Sequence, residues 1–114
     1  MIRRSGARDI NSVSVDHGGL VYLSGIIPDD LSADITGQTR EVLNKIETHL
    51  RDAGTDKSKL LTATVFITDV TNREKMNAVW KEWVDPQNLP ARATVGVTLA
   101  PPQLLIEISV IAAK

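Results

Sequence analysis

The chain has 114 residues, no cysteine and a formal net charge of −1, and these properties limit its domain number, its site chemistry and its binding partners. A chain of this length forms one domain, which we place at residues 1–114. Without cysteine it has no disulfides, thiolate metal sites or cysteine nucleophiles, and we expect a cytoplasmic location. The small net charge and the lack of a long apolar stretch predict neither nucleic-acid binding nor a membrane span.

The N-terminal part of the chain predicts a basic arm followed by a β-hairpin. The segment MIRRSGARDI carries three arginines with no apolar run behind them, so we expect a solvated arm and no export signal. NSVSV and LVYLSG alternate as strands on either side of DHGG, whose aspartate and glycines are typical turn residues.

Two segments have the apolar period of amphipathic helices. The first covers residues 31–54, with Ser32 or Asp34 as its N-cap and a C-terminal stop at its final glycine. The second follows Thr71, which forms a predicted capping box with Glu74, and it ends before an Asp-Pro pair. The apolar faces are expected to consist of Ile35, Val42, Leu43, Ile46 and Leu50 in the first helix and Met76, Val79, Trp80, Trp83 and Val84 in the second.

Three further segments, residues 60–70, 91–99 and 104–113, alternate as strands. The element order is then β-β-α-β-α-β-β, which predicts an α+β fold with a mixed sheet and both helices on one face. The other face is then open to solvent or covered by another chain. We expect an oligomer, because small polar groups among aliphatic residues on that face suit a subunit interface. The helix-covered face of the first of these strands is expected to carry Leu61, Ala63, Val65 and Ile67, and the uncovered face Thr62, Thr64, Thr94, Thr98 and Ser109.

Arg92 and Glu107 are charged residues in strands that otherwise consist of small, polar or apolar residues. If the segment APPQ closes a tight antiparallel hairpin, Gly96 faces Glu107, and Thr94 and Ser109 share a face with both charges. The result would be a shallow pocket with one positive and one negative group. The two charged positions would lie about 13 Å apart along the strands, so a bulge, a wider turn or a neighbouring subunit must bring them to one ligand. A charged pair that satisfies a subunit interface is the alternative.

The segments VYLSGIIP, DITGQTREVLNKIETHLRDAG, ATVFITDV, MNAVW, PARATV and LLIEISVIAA span nearly the whole chain. In this order and spacing they resemble the reactive-intermediate deaminase superfamily, also called the RidA/YjgF family. The resemblance implies a chorismate-mutase-like fold and a homotrimer with clefts between its subunits. It also implies that reactive 2-imino acids, which are enamine or imine intermediates, are hydrolysed to 2-keto acids and ammonia without a cofactor or a metal.

The resemblance assigns roles to individual positions. Arg92 follows PA and matches the family's catalytic arginine. Glu107 lies within IEI and matches the family's catalytic glutamate. The number of residues between the two is the same as in the family. Arg92 is then expected to bind the substrate carboxylate. Glu107, or a water that it holds, is expected to move protons as ammonia leaves. The substrate site is further implied to include Ser24, Gly25, Asn77 and Thr94.

The sequence departs from the family at three places, which indicates a divergent branch. GARDINSVSV lacks the tyrosine that precedes the first hairpin in the best-studied members, Thr94 stands where a cysteine is common, and Gly96 stands where a glutamate occurs. Two other functions remain open. One is a trimeric protein that binds a small carboxylate or metabolite without turnover, and the other is a related deaminase of pyrimidine or aminomuconate breakdown.

Overall fold

Six β-strands and two α-helices make up the fold, and the computed structural model describes all residues from 1 to 114. The strands are β1 (Arg3–Ala7), β2 (Ser12–His17), β3 (Leu20–Leu23), β4 (Leu60–Ile67), β5 (Ala91–Gly96) and β6 (Ile106–Ala113), and the helices are α1 (Ile35–Asp52) and α2 (Arg73–Trp83). The strands form one sheet in the order β1-β2-β3-β6-β4-β5. Only β4 and β5 are parallel neighbours, so the sheet is mixed and the predicted α+β class is confirmed.

The predicted hairpin of β2 and β3 is present, and an unpredicted strand extends it at the outer edge. Gly18 and Gly19 join the two strands with φ of 61° and 79°, the left-handed conformations that a two-residue type I′ turn requires. The arm expected in solvent instead forms β1 and pairs with β2, with Arg4 opposite Val15. β1 is nonetheless exposed along its whole length. It has no apolar alternation, which is why the sequence pattern did not indicate a strand.

α1 begins and ends where the sequence predicts. The carboxylate of Asp34 caps it by accepting the Gly37 N–H at 2.9 Å. Gly54 follows the last turn with a φ of 86°, a conformation that stops helices and favours glycine. The predicted apolar face of α1 is buried throughout.

α2 buries the predicted face but starts differently from the prediction. The capping box of Thr71 and Glu74 is absent, because Asn72 is the N-cap and makes no side-chain cap hydrogen bond. Thr71 instead donates both its N–H and its hydroxyl to the carboxylate of Asp69, which caps the short 3₁₀ turn before the helix.

Both helices pack on the same face of the sheet, because one core cluster combines their apolar faces with alternate residues of β3, β4 and β6. A bulge in β4 places Leu60 in this core and leaves Leu61 exposed, so Leu61 does not share a face with Ala63 as predicted. The other face carries no helix and is called the open face. Its residues, by register, include Tyr22, Thr62, Thr64, Phe66, Val95, Glu107, Ser109 and Ile111.

β5 and β6 are not neighbours, because β4 lies between them. The tight hairpin predicted for APPQ is therefore wrong, and Gly96 pairs with Ile67 instead of facing Glu107. The physical reason is the connection through α2, since a helical crossover joins parallel strands. β5 therefore occupies one edge of β4, and the chain then crosses the end of β4 to place β6 antiparallel on the other edge.

Candidate active site

Arg92 lies in the edge strand β5 and extends along α2 on the helix-covered face. It pairs with Ala63 of β4, a core residue. Its Nη2 donates to Oδ1 of Asn77 at 2.7 Å, and its Cζ lies 5.1 Å from the centroid of the Trp80 ring. Nη1 lies 3.8 Å from Sδ of Met76. An amide, an aromatic ring and a thioether of α2 thus hold the guanidinium in place.

No carboxylate neutralises Arg92, which takes part in none of the six ion pairs of the chain. Burial lowers the pKa of Arg92, and the positive charge of Arg73 lowers that pKa further. Arginine nonetheless stays protonated in proteins. The guanidinium is therefore a permanent cation whose position suits a carboxylate, the group it binds most strongly through paired hydrogen bonds.

A cavity of about 300 Å³, here called the Arg92 cavity, lies beside this guanidinium. Its charged groups are Arg92 and Lys81, and no acidic residue lines it. Three of its residues lie on one face of α2 because they are three or four positions apart. The complete lining consists of Asn77, Trp80 and Lys81 of α2, Val84 at the C-cap of that helix, Leu89 and Pro90 of the following loop, and Arg92.

A larger cavity of about 460 Å³ lies between the C-terminal ends of the two helices, but its four acidic residues, Glu47, Asp56, Glu82 and Asp85, outnumber its two basic ones. Glu47 accepts the indole N–H of Trp83 at 2.8 Å and lies 3.4 Å from Nζ of Lys57. Lys57 is also 5.2 Å above the Trp83 ring. These contacts tie the two helices together and leave the Arg92 cavity as the better candidate for an anion.

Glu107 lies on the open face, where Ser24 and Gly25 approach it. The bridge between Ile26 and Ile108, with hydrogen bonds of 2.8 and 3.1 Å, aligns this segment with β6. A Cβ on residue 25 would lie 2.8 Å from Cδ of Glu107, so only glycine allows the carboxyl group to rest there. The Ser24 hydroxyl is buried without a hydrogen-bond partner, which is unusual for a buried polar atom.

Arg92 and Glu107 do not meet within one chain. Arg92 is opposite Ala63 and Glu107 is opposite Phe66, so the two side chains lie on opposite faces of the sheet. Their backbone positions are two strands apart and about 14 Å from each other. The predicted common face is therefore wrong: Arg92, Thr94 and Gly96 are on the helix-covered face, and Glu107 and Ser109 are on the open face.

Five of the six predicted site residues thus fall into two groups, and the sixth, Thr94, belongs to neither. Thr94 follows Arg92 on the same face of β5 but does not line the Arg92 cavity. The groups are Arg92 with Asn77 at the cavity, and Ser24 and Gly25 with Glu107 on the open face.

The sequence pattern missed two residues that shape the cavity. Trp80 was assigned only to the core, although its ring also lies against the guanidinium, and Lys81 was not singled out. The available signal was their position three and four residues after Asn77, which places all three on one helix face.

No group of three or more histidine, aspartate or glutamate side chains is arranged to hold a metal ion. Neither α1 nor α2 has the length and hydropathy of a membrane-spanning helix.

The sheet order, the two helices on one face and the open second face define the class of protein, an α+β chain of the kind found in YjgF-family structures. The crystal structure of a YjgF family member from Neisseria meningitidis superposes with a TM-score of 0.97 at 36% identity, covering 100% of this chain and 95% of that one. A YjgF/YER057c/UK114 family member from Mycobacterium tuberculosis superposes with a TM-score of 0.89 at 26% identity, covering 100% of both chains.

Sequence comparison agrees with the structural comparison. Residues 4–114 match the family described as Endoribonuclease L-PSP. A RutC family protein of Haemophilus ducreyi is 38% identical over 113 residues, covering 99% of this chain and 97% of that protein. The chain belongs to the endoribonuclease L-PSP family, within the RidA/YjgF superfamily, and the predicted family is confirmed.

Proposed function

We propose that the protein hydrolyses small 2-imino acids to 2-oxo acids and ammonia. The observation that carries the proposal is Arg92, a cation that Asn77 and Trp80 hold beside a cavity with no acid to neutralise it. Such a group suits a substrate carboxylate. Membership of the RidA/YjgF superfamily supports the reaction type, because the resemblance to its catalytic members includes both Arg92 and Glu107.

Substrate binding in this proposal begins with the carboxylate on Arg92. Nη2 is engaged by Asn77, so the guanidinium is oriented before the substrate arrives, and its remaining donors bind the carboxylate. A lysine would supply the charge but not the planar pair of donors, and would hold the adjacent imine carbon less firmly.

The chemical step adds water across the C=N bond. The water oxygen bonds to the imine carbon, and Glu107 takes a proton from that water. Glu107 then gives this proton to the nitrogen of the resulting carbinolamine and accepts the proton of its hydroxyl group, while the C–N bond breaks to release ammonia and leave the ketone. The protonated imine is already electrophilic, so this route needs no covalent nucleophile. In this proposal the Ser24 hydroxyl, which has no hydrogen-bond partner within the chain, orients the attacking water.

Arg92 and Glu107 act on the same substrate only if two copies of the chain contribute. In our proposal the β5 edge of one copy packs against the open face of the next, and a homotrimer repeats this arrangement. Each cleft then contains Arg92 from one copy and Ser24, Gly25 and Glu107 from another. The 39% exposure of Tyr22 and Val95 supports such packing, because exposed apolar patches mark interaction surfaces.

The proposal is tested by generating 2-imino acids in situ with an amino-acid oxidase and trapping the residual imine with semicarbazide. The protein should lower the amount of trapped imine, and Arg92→Ala and Arg92→Lys should each lose this effect. Arg40→Ala is the matched control, because Arg40 is an exposed arginine on α1 that pairs with Glu82 and does not line the cavity. Equal trapping with and without wild-type protein across several imino acids would overturn the proposal.

A second candidate is a trimeric protein that binds a small carboxylate without turnover. The separation of Arg92 from Glu107 within the chain favours it, because Arg92 alone completes an anion site. Under this alternative, 2-oxobutyrate binds and Arg92→Ala abolishes binding, but no imine is consumed.

A further inference from the structure

The Arg92 cavity carries two positive side chains and no acidic partner for either. The six ion pairs occupy Arg3, Arg40, Lys45, Arg51, Lys57 and Lys114. Lys81 and Arg92, which line the cavity, take part in none of them, and neither does Arg73, whose charge acts on Arg92. A chain with a net charge of −1 therefore keeps a positive, acid-free cavity.

Arg92 and Lys81 are like charges that line one cavity, and no acidic residue there pairs with either. A ligand with one negative group forms an ion pair with Arg92 and leaves Lys81 unpaired. A ligand with two negative groups pairs both cations.

The uncharged walls of the cavity fit the part of the ligand between two such groups. Trp80, Val84, Leu89 and Pro90 contribute apolar surface to the same lining as the two cations, and Asn77 contributes a neutral polar side chain. A short run of methylene groups gains free energy by contact with such walls.

We propose that the Arg92 cavity selects acids with a second carboxylate, so that the α-carboxylate pairs with Arg92 and the side-chain carboxylate with Lys81. This inference rests on the proposed function and names its substrate class: 2-imino acids derived from dicarboxylic amino acids, with 2-oxo dicarboxylates as products. Lys81 is then a specificity-determining residue that does not touch the reacting atoms.

The test uses two stable product analogues of equal chain length, 2-oxoglutarate and 2-oxopentanoate, which differ only in the second carboxylate. Isothermal titration calorimetry with wild-type protein should give a Kd for 2-oxoglutarate that is about five- to tenfold lower than the Kd for 2-oxopentanoate. Lys81→Met removes the charge and keeps the apolar stem, and it should bring the two Kd values together. Lys75→Met is the matched control, since Lys75 is an unpaired, exposed lysine of the same helix outside the cavity lining, and it should keep the difference.

The outcomes separate this inference from the proposed function. If both acids bind equally to wild type, and Arg92→Ala weakens both, the dicarboxylate preference is wrong while the carboxylate site stands. If 2-oxoglutarate binds more tightly but Lys81→Met keeps the preference, the assignment of Lys81 is wrong. If neither acid binds, both proposals fail. A preference for 2-oxoglutarate that Lys81→Met alone removes supports the inference, and its loss in high salt supports an ionic origin.

Discussion

Gly25 packs directly against the carboxyl group of Glu107, and this contact leaves no room for a side chain at position 25. A Cβ there would lie 2.8 Å from Cδ and 3.1 Å from Cγ of Glu107, and closer still to one carboxylate oxygen. The loop between β3 and α1 therefore determines where the carboxylate sits.

Gly25→Ala should displace the Glu107 carboxylate and slow imine hydrolysis. Removal of a general base typically lowers a rate by about 10²–10⁴-fold, so we expect Glu107→Gln to fall in that range and Gly25→Ala to lose at least about tenfold in kcat. Gly18→Asn is the control, because a side chain meets open space there and asparagine tolerates the left-handed φ. A kcat for Gly25→Ala equal to that of wild type would show that this contact does not position the carboxylate.

Asn77→Ala should weaken substrate binding more than it slows the chemical step. The substitution removes the 2.7 Å hydrogen bond that orients the guanidinium of Arg92, and it leaves the charge in place. We expect KM to rise by about five- to twentyfold with a smaller change in kcat, from steady-state kinetics on one imino acid. An unchanged KM would mean that Trp80 and Met76 orient the guanidinium without Asn77.

Gln38→Met should destabilise the fold. Gln38 is fully buried, donates to the carbonyls of Ala33 and Gln103, and accepts the N–H of Leu105 at 2.9 Å. It therefore anchors the segment before β6 to α1, and its loss leaves these backbone groups unpaired. We expect the free energy of unfolding to fall by about 2–4 kcal/mol in urea denaturation at a fixed protein concentration.

Thr39→Val is the matched control for that measurement. The Thr39 hydroxyl is also buried, but it only adds a 2.7 Å bond to the carbonyl of Ile35 within the same helix. We expect a loss below about 1 kcal/mol. Equal losses for the two variants would contradict the anchoring role of Gln38.

The pKa of Asp16 should depend on Lys114, which joins the C-terminus to β2. A hydrogen bond from Lys114 holds the pKa of Asp16 below its ordinary value of 3.8, with a smaller contribution from the charge of Arg3. A lowered pKa in the folded state stabilises the fold above about pH 4, and this contribution is lost as the pH falls through the lowered value. Lys114→Met should therefore raise the Asp16 pKa towards 3.8, as measured by NMR titration of the carboxyl carbon.

Asp69 provides an internal reference in the same titration. The Thr71 hydroxyl, a neutral donor, lowers the pKa of Asp69. High salt should raise the pKa of Asp16 but leave that of Asp69 in place, because salt screens ionic pairs most. Equal responses of the two groups would show that the charge of Lys114 is not the cause.

A charge on the open face should prevent trimer formation. Thr64 lies in the central strand β4 and its side chain is on the open face, opposite Ser109. We expect wild type to give three times the 12.4 kDa chain mass in light scattering, and Thr64→Arg to shift towards the monomer. Ala78→Arg, on the exposed face of α2, should keep the wild-type mass. A monomeric wild type would contradict the trimer.

The sequence alone determined the features that depend on neighbouring residues. Asp34 and Gly54 set the ends of α1, the two glycines at 18 and 19 set the hairpin turn, and the apolar periods set the buried faces of both helices. These signals act over a few residues, where capping, backbone conformation and periodicity are decided. The chemistry of Arg92 and Glu107 also singled them out, since charges in apolar strands need partners.

Only the tertiary structure decided how the site residues are distributed. β6 lies beside β4 and not β5, and this pairing puts Arg92 and Glu107 on opposite faces of the sheet. Which strands pair with β4 depends on the topology of the whole chain, including the crossover through α2. A local sequence pattern does not contain this information. The sequence pattern also did not predict β1. An exposed edge strand is stabilised by hydrogen bonds to the backbone of its neighbour and not by its own side chains.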